Sequence, residues 1–267
     1  MIMANEVEVA VVPSNNYHAL AQIEIDSQIA TAKQYPRDIQ AARTKVRSLV
    51  LTSPAIAEEC FYHLERNSQG KDATVIEGFS VRFAEFVVHA WGNLRVQTRV
   101  IGNDGKKITV QGVCHDLESN SAAQVEVNRR ITTKEGKTFS EDMQIVTTNA
   151  ANSIAYRNAV FKIVPAALFS DILEQAKELV KKGLEDNLAT KVEKMLMLFA
   201  GIGVTPKMIF EYLNVGGESD ITAKNGADLI GIYNAIREGS TTVEETFGTT
   251  LAARKEQMRQ QPKLQMP

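Results

Sequence analysis

Cysteine, tryptophan and proline are scarce in this 267-residue chain, at two, one and seven residues. Cys60 and Cys114 stand far apart and in no CxxC pair, so neither a disulfide framework nor a zinc site follows. The four histidines, His18, His63, His89 and His115, have no metal-ligand spacing among themselves or with cysteine. No apolar run approaches the ~20 residues of a membrane-spanning helix. The N-terminal stretch lacks a basic-then-apolar leader pattern, and the sequence reads as that of a cytoplasmic protein with no membrane partner. The nucleotide-binding pattern GxxxxGK[ST] is missing, as are GxGxxG and GxSxG, and "NDGKK" and "SQGKD" are turns that carry a lysine. His115-Asp116 is a lone dipeptide. The adjacent pairs Glu141-Asp142 and Glu244-Glu245 point in different directions on any regular element. An enzyme is not expected, and no catalytic residue, metal or cofactor is assigned.

What is present is apolar residue and charge. At 44% hydrophobic the chain can bury one large core or two small ones. The net charge of −2 hides an uneven distribution: residues 82–165 carry eleven basic and eight acidic side chains, residues 171–250 eight and thirteen. A basic middle beside an acidic later part suits a segment that meets an anion and another that meets proteins, although ordinary charge scatter gives the same totals.

Periodicity supplies the elements. Residues 7–12 form a short apolar run that reads as an edge strand or a loose tail. The pattern is helical from Tyr17 to about Val50, with Pro36 opening the second part. Ser53 and Pro54 start a helix through "AIAEECFYHLER", "NSQGKDATVIEG" reads as a loop, and Ser80 caps a helix that Gly92 stops. The period then changes to two. "NLRVQTRVIG", "KKITVQGVCHDL" and "AAQVEVNRRI" alternate, with Asn103-Asp104-Gly105 as a hairpin signal and "TKEGK" as a further turn. Residues 148–165 read as one long helix, 171–183 as a helix ending at Gly183. Further helices follow from Val192, from Thr205-Pro206 and up to Gly239, with a capping box at Thr242 and Glu245. The fold class expected is α+β: helices flanking a three- to four-stranded antiparallel β-meander, then a long helix, then a small all-α domain. The divisions expected are residues 1–186 as a core, 187–250 as a helical partner-binding domain, and 251–267 as a disordered tail rich in Gln, Arg and Lys.

Binding residues stand out more than chemistry. On a helical wheel of residues 148–165, Ala150, Ile154, Phe161 and Val164 cluster, with Arg157 between them and Ser153 beside them, while Ala151, Asn158 and Lys162 fall opposite. A guanidinium so placed needs a buried carboxylate such as Asp142 or Glu126, a carbonyl, a phosphate, or a route to water. Arg95 and Arg99 share a strand face with Gln97, opposite Leu94 and Val96, a row that suits either a phosphate chain or a solvated outer face. No aromatic residue is interleaved with these cations, and Trp91 reads as core, so a base-stacking platform is not indicated.

The stretch "NLRVQTRVIGNDGKKITVQGVCHDLESNSAAQVEVNRRI" followed by "NAANSIAYRNAVFKIVP" resembles the single-strand annealing proteins of phage recombination, the Redβ, Erf and RecT types. "IEGFSVRFAEFVVHAWGNL" is similar to a recurrent segment of such proteins, and residues 199–247 to the small helical domains at their ends. The resemblance implies homo-oligomeric rings or filaments that hold single-stranded DNA in a basic groove between the sheet and the long helix. It implies annealing of complementary strands without ATP, and contact of the C-terminal domain with an exonuclease or a host single-strand binding protein. The DNA-binding residues on this reading are Arg95, Arg99, Lys106, Lys107, Arg129, Arg130, Lys134, Lys137, Asn149, Ser153, Arg157 and Lys162. A phage structural or adaptor protein, with the sheet as scaffold, is the alternative.

Overall fold

A computed structural model describes residues 14–66, 74–133 and 136–248. The apolar run at 7–12, the tail at 251–267 and Lys134 lie outside the described residues. Helix α1 (Ser14–Gln34) precedes Pro36, and α2 (Ile39–Val50) follows it. The cap of α2 is Asp38 rather than a proline start: its carboxylate accepts from the Gln40 and Ala41 amides at 2.8 and 3.0 Å. Ser53 caps α3 (Pro54–Glu58) as its spacing predicts, but the helix ends after little more than one turn. Phe61–Arg66 is a strand, β1, paired antiparallel with β2 (Thr74–Phe79). The helix expected through residue 66 is therefore corrected, as is the loop expected over 67–78 where it covers 74–78; residues 67–73 lie outside the described residues. Phe61, Tyr62 and Ile76 are aromatic or β-branched and fit a pleated, half-covered surface. Helix α4 (Val81–Trp91) starts on the Ser80 hydroxyl and stops at Gly92, whose φ of 68° suits glycine.

The chain is α+β. Strands β3 (Leu94–Asn103), β4 (Lys107–Asp116) and β5 (Ser121–Arg130) form an antiparallel sheet in sequence order. Helix α5 (Glu141–Ile163) lies across it, capped by Ser140 and thus longer at its start than residue 148. The face that α5 covers carries Ile108, Val110, Gly112 and Cys114 of β4. A Cβ at Gly112 would collide with the Ala155 carbonyl oxygen, so this glycine lets the helix backbone rest on the sheet. The stripe expected from the helical wheel is corrected here. Ala151, Ala155 and Ala159 are fully buried, Ala151 having been assigned to the polar side, while Ile154 and Phe161 are only half-buried. The helix is covered on two sides, so its apolar residues do not gather in one stripe.

Beyond α5, α6 (Ser170–Glu185) runs through Gly183 instead of ending there, and Gly183 packs against Pro54. Helices α7 (Leu188–Gly201), α8 (Pro206–Leu213) and α9 (Ala223–Arg237) enclose a second core of Val192, Phe199, Ile209, Leu229, Ile232 and Phe247. The two cores share a buried seam. Ala223 belongs to the larger core with Val46, Phe83 and Phe169. The Asn234 amide donates to the Phe61 and Glu58 carbonyls at 3.0 and 2.5 Å. A Cβ at Gly231 would come within 2.7 Å of the His63 Cβ, so α9 rests directly on β1. Among the described residues no single helix is long and apolar enough to cross a membrane.

Arg37 ties α2 to the sheet. Its guanidinium holds Asp116 at 2.5 and 3.0 Å and Glu118 at 2.8 Å, and it lies over the Trp91 ring at 5.2 Å. Burial works to raise both carboxyls, but their hydrogen bonds to Arg37, Asn93 and backbone amides outweigh it and hold them below the ordinary range. Their folded values lie below the unfolded ones, so this stabilisation is present at neutral pH and is lost as pH falls through the folded values. Arg37→Ala leaves two partly buried carboxylates unpaired and is expected to cost about 3 kcal/mol in urea unfolding at pH 7, with a smaller cost in acid. Gly112→Val is expected to cost at least about 2 kcal/mol by the same assay, since helix and sheet must separate. Deleting residues 187–267 uncovers β1 and the start of α4, so the truncated chain is expected to lose its cooperative thermal transition; a sharp, wild-type-like melt would contradict the buried seam.

Candidate nucleic-acid interface

The strand register sorts the expected cations by face. On β4, Lys107, Thr109, Gln111, Val113 and His115 point away from α5. Their neighbours are Arg95, Gln97 and Arg99 on β3, and Gln124, Glu126, Asn128 and Arg130 on β5. Four cations on this outer face thus stand against one carboxylate, Glu126, among the described residues. Arg99 donates to the Gln111 amide oxygen at 3.0 and 2.7 Å, which fixes its guanidinium over the middle strand without spending its charge. Arg95 lies against Gln97, whose oxygen accepts at 3.0 and 3.1 Å once it faces the donors, and reaches Gln28 of α1 at 3.4 Å. Lys107 faces Arg130 across the ladder, and Thr109 donates to Asn128 at 2.7 Å. The partners of these arginines are neutral amides, so the positive potential of the face survives folding.

At the end of the sheet the Asp104 carboxylate accepts from the Lys106 and Lys107 amides at 2.9 and 2.8 Å. That turn holds both lysines in solvent beside Arg130. Lys137 is exposed within the turn closed by the bridge between Thr132 and Thr138. Arg129 pairs with Ile108 in register and therefore lies on the α5 side, half-buried.

The helix residues are placed differently from the expectation. Arg157 is an internal residue. Its side chain is 11% exposed, its Nη1 lies 3.8 Å from the Glu238 carboxylate, itself 5% exposed, and its guanidinium covers the Tyr62 ring at 4.7 Å. Neither Asp142 nor Glu126 is the partner. Burial raises the Glu238 carboxyl, against the pull of the Val81 amide and of Arg157. A phosphate role for Arg157 is corrected on this geometry: the carboxylate that neutralises it comes from the chain itself, through the C-terminal end of α9. The groove expected between sheet and helix is corrected too, because Ala155 sits on Gly112 and closes it. Ser153 donates to the Asn149 carbonyl at 3.1 Å along the helix, the Asn149 side chain is exposed, and Lys162 is exposed in the last turn of α5. These three are not on the outer sheet face.

Sequence reading missed one cluster. The β1–β2 ladder puts His63 opposite Glu77, and α9 adds Asp228, with Nδ1 of His63 at 2.9 and 4.0 Å from the two carboxylates. All three ligand atoms lie within 4.8 Å. The Lys177 ammonium, however, holds the other Glu77 oxygen, so the group reads as an ion-pair latch joining β1, β2, α6 and α9. Burial, working to raise the Glu77 carboxyl, is outweighed there by the hydrogen bonds from Lys177 and His63, which hold it below its ordinary range. The cluster has no local signature in the sequence, because its residues meet only through the β1–β2 pairing and α9. Cys60 and Cys114 are buried, with thiols pushed up by burial to about 12 and about 11, and are not nucleophiles at neutral pH.

No protein-family model, curated protein or solved structure matches the chain.

Arg157→Ala is expected to cost about 3 kcal/mol of stability by leaving Glu238 buried without its partner, and the double variant with Glu238→Gln to recover part of that loss. In a nucleic-acid binding assay the folded Arg157→Ala protein is expected to retain wild-type affinity.

Proposed function

We propose that the chain is a phage-type single-strand annealing protein, which binds single-stranded DNA and promotes ATP-independent pairing of complementary strands in homologous recombination and repair. The observation that carries this reading is the outer sheet face: Arg95, Arg99, Lys107 and Arg130 in solvent or against neutral amides, continued by Lys106 at the turn. A polar, cationic surface holds a phosphate chain without gripping bases, and bases left free can pair. The order of sheet and long helix, with "SIAYRNAVFKI" on that helix, adds the resemblance to the Redβ, Erf and RecT types. Relative to that expectation the DNA path lies on the side of the sheet facing away from α5, not between sheet and helix.

The protein acts as a homo-oligomer in this reading. Apolar side chains remain uncovered on several elements, among them Leu20 and Ile23 of α1, Val100 and Ile101 of the edge strand β3, Met143, Ile145 and Val146 of α5, and Met197 and Leu198 of α7. Burying them between copies removes apolar surface from water and covers an open strand edge. Repetition of the sheet face would line up many modest cation sets along one strand. The host cytoplasm is the compartment proposed, and an exonuclease or single-strand binding protein the further partner, met through α7 and α8.

Fluorescence anisotropy with a labelled oligo(dT), and a dye-release assay of complementary oligonucleotides without ATP, test the reading. Binding is expected to weaken with salt at a slope of about −0.7 per phosphate neutralised. The triple variant Arg99→Ala, Lys107→Ala, Arg130→Ala is expected to bind at least about tenfold more weakly, with its melting temperature little changed. Absence of binding at low salt would remove this reading in favour of an adaptor.

A further inference from the structure

We propose that copies of the chain join head to tail, the outer side of α1 in one copy packing on the far end of β3 in the next. The inference rests on the homo-oligomer proposed above and supplies its contact. On a helical wheel of α1, Ile25, Ile29 and Ala32 gather on one side. That side meets the rest of the chain: Ala32 is buried, Ile25 and Ile29 are half-buried, and Gln28 beside them meets Arg95 at 3.4 Å. The opposite side carries Leu20, Ile23, Ser27 and Ala30, all exposed. A helix that is apolar on two opposite sides calls for cover on both, and its own chain supplies one.

Charge selects the second cover. Glu24 and Asp26 flank the exposed stripe, one on each side. Asp26 accepts from the neutral Gln22 amide at 3.0 Å, and among the described residues no base pairs with either carboxylate. Of the bare apolar patches elsewhere, Met143, Ile145 and Val146 adjoin Glu141 and Asp142, which repel such a stripe. Met197 and Leu198 stand near Glu193 and Lys194, whose charges cancel. Val100 and Ile101 adjoin Arg99, Lys106 and Lys107, against Asp104 alone. The acidic stripe and the basic end of the sheet are complementary.

Val100 is bare for a structural reason. It shares the α5-facing side of the sheet with Leu94 and Val96, which pack against the larger core, but it stands beyond that cover and is 49% exposed. Ile101 is the extra residue of a bulge between Val100 and Gly102. That bulge, with Arg95 and Arg99 on the same strand, works against direct pairing of two β3 edges. The stripe and the strand end are different patches, both exposed in the single chain, so their contact is heterologous: each copy gives an arm and receives one, and repetition yields a ring or a filament.

Sedimentation velocity of the full chain without DNA tests the contact, with thermal melting to verify that each variant is folded. The wild type is expected to assemble beyond a dimer. Leu20→Glu with Ile23→Glu, and Val100→Glu with Ile101→Glu, are each expected to be monomeric where the wild type assembles. An equimolar mixture of these two variants is expected to give a dimer and nothing larger, since one intact arm and one intact strand end remain between them. A mixture that stays monomeric, or either folded variant assembling as the wild type does, would overturn the arrangement. Glu24→Lys with Asp26→Lys, which spares the apolar residues, gives a second measure: assembly is expected to weaken about tenfold at low salt and less at high salt. Equal assembly there counts against the end of β3 as the receiver. Anisotropy with oligo(dT) separates this contact from the annealing reading. Head-to-tail assembly by a protein that binds no oligo(dT) would uphold the contact and sink annealing, whereas a monomeric wild type that binds oligo(dT) would overturn the contact and leave strand binding standing.

Discussion

The architecture depends on the contact between the Ala155 carbonyl and Gly112, where a helix backbone lies on a strand with no side chain between them. Alanines at 151, 155 and 159 keep that approach close along three turns of α5. Because the helix covers one face so tightly, every second residue of β4 is forced to the other face. Arg95, Arg99, Lys107 and Arg130 follow from that single parity, since a strand has period two. The sheet thus presents charge on one side because it is close-packed on the other.

The second flank of α5 is covered by the C-terminal helices. Gly239, at φ of 70°, meets Ala150, and Arg157 reaches Glu238 across the same seam. Glu238 in turn accepts from the Val81 amide at the start of α4. One buried carboxylate therefore joins α4, α5 and α9, and its removal loosens three elements together. With Asn234 on β1 and the latch of His63, Glu77, Asp228 and Lys177, this makes the later helices part of the fold's support.

Much of the middle of the molecule was legible because its signals are local. Asn103-Asp104-Gly105, the alternation on both sides of it, Ser80 with Gly92, and Thr242 with Glu245 each act within a few residues. The parity of Arg95, Gln97 and Arg99 was readable for the same reason. What was not legible depends on distant partners. The wheel of residues 148–165 assumed one buried side, whereas alanine on the sheet and larger residues toward α4 share the burial. The place of Arg157 among apolar residues signals the need for a partner, but Glu238 lies 81 residues on and carries no local mark. The sequence of the β1–β2 hairpin reads as helix and loop because Pro54 is a genuine helix start, and nothing in the sequence says that α9 will cover the strands that follow.

The most direct measurement is lysine acetylation of the full chain with and without oligo(dT), read by mass spectrometry. A strand lying on the outer sheet face protects Lys106 and Lys107 and leaves Lys181, Lys194 and Lys207, on α6, α7 and α8, as reactive as before. Protection confined to those three, or the same reactivity at every lysine in a mixture where the oligonucleotide is bound, would contradict the account.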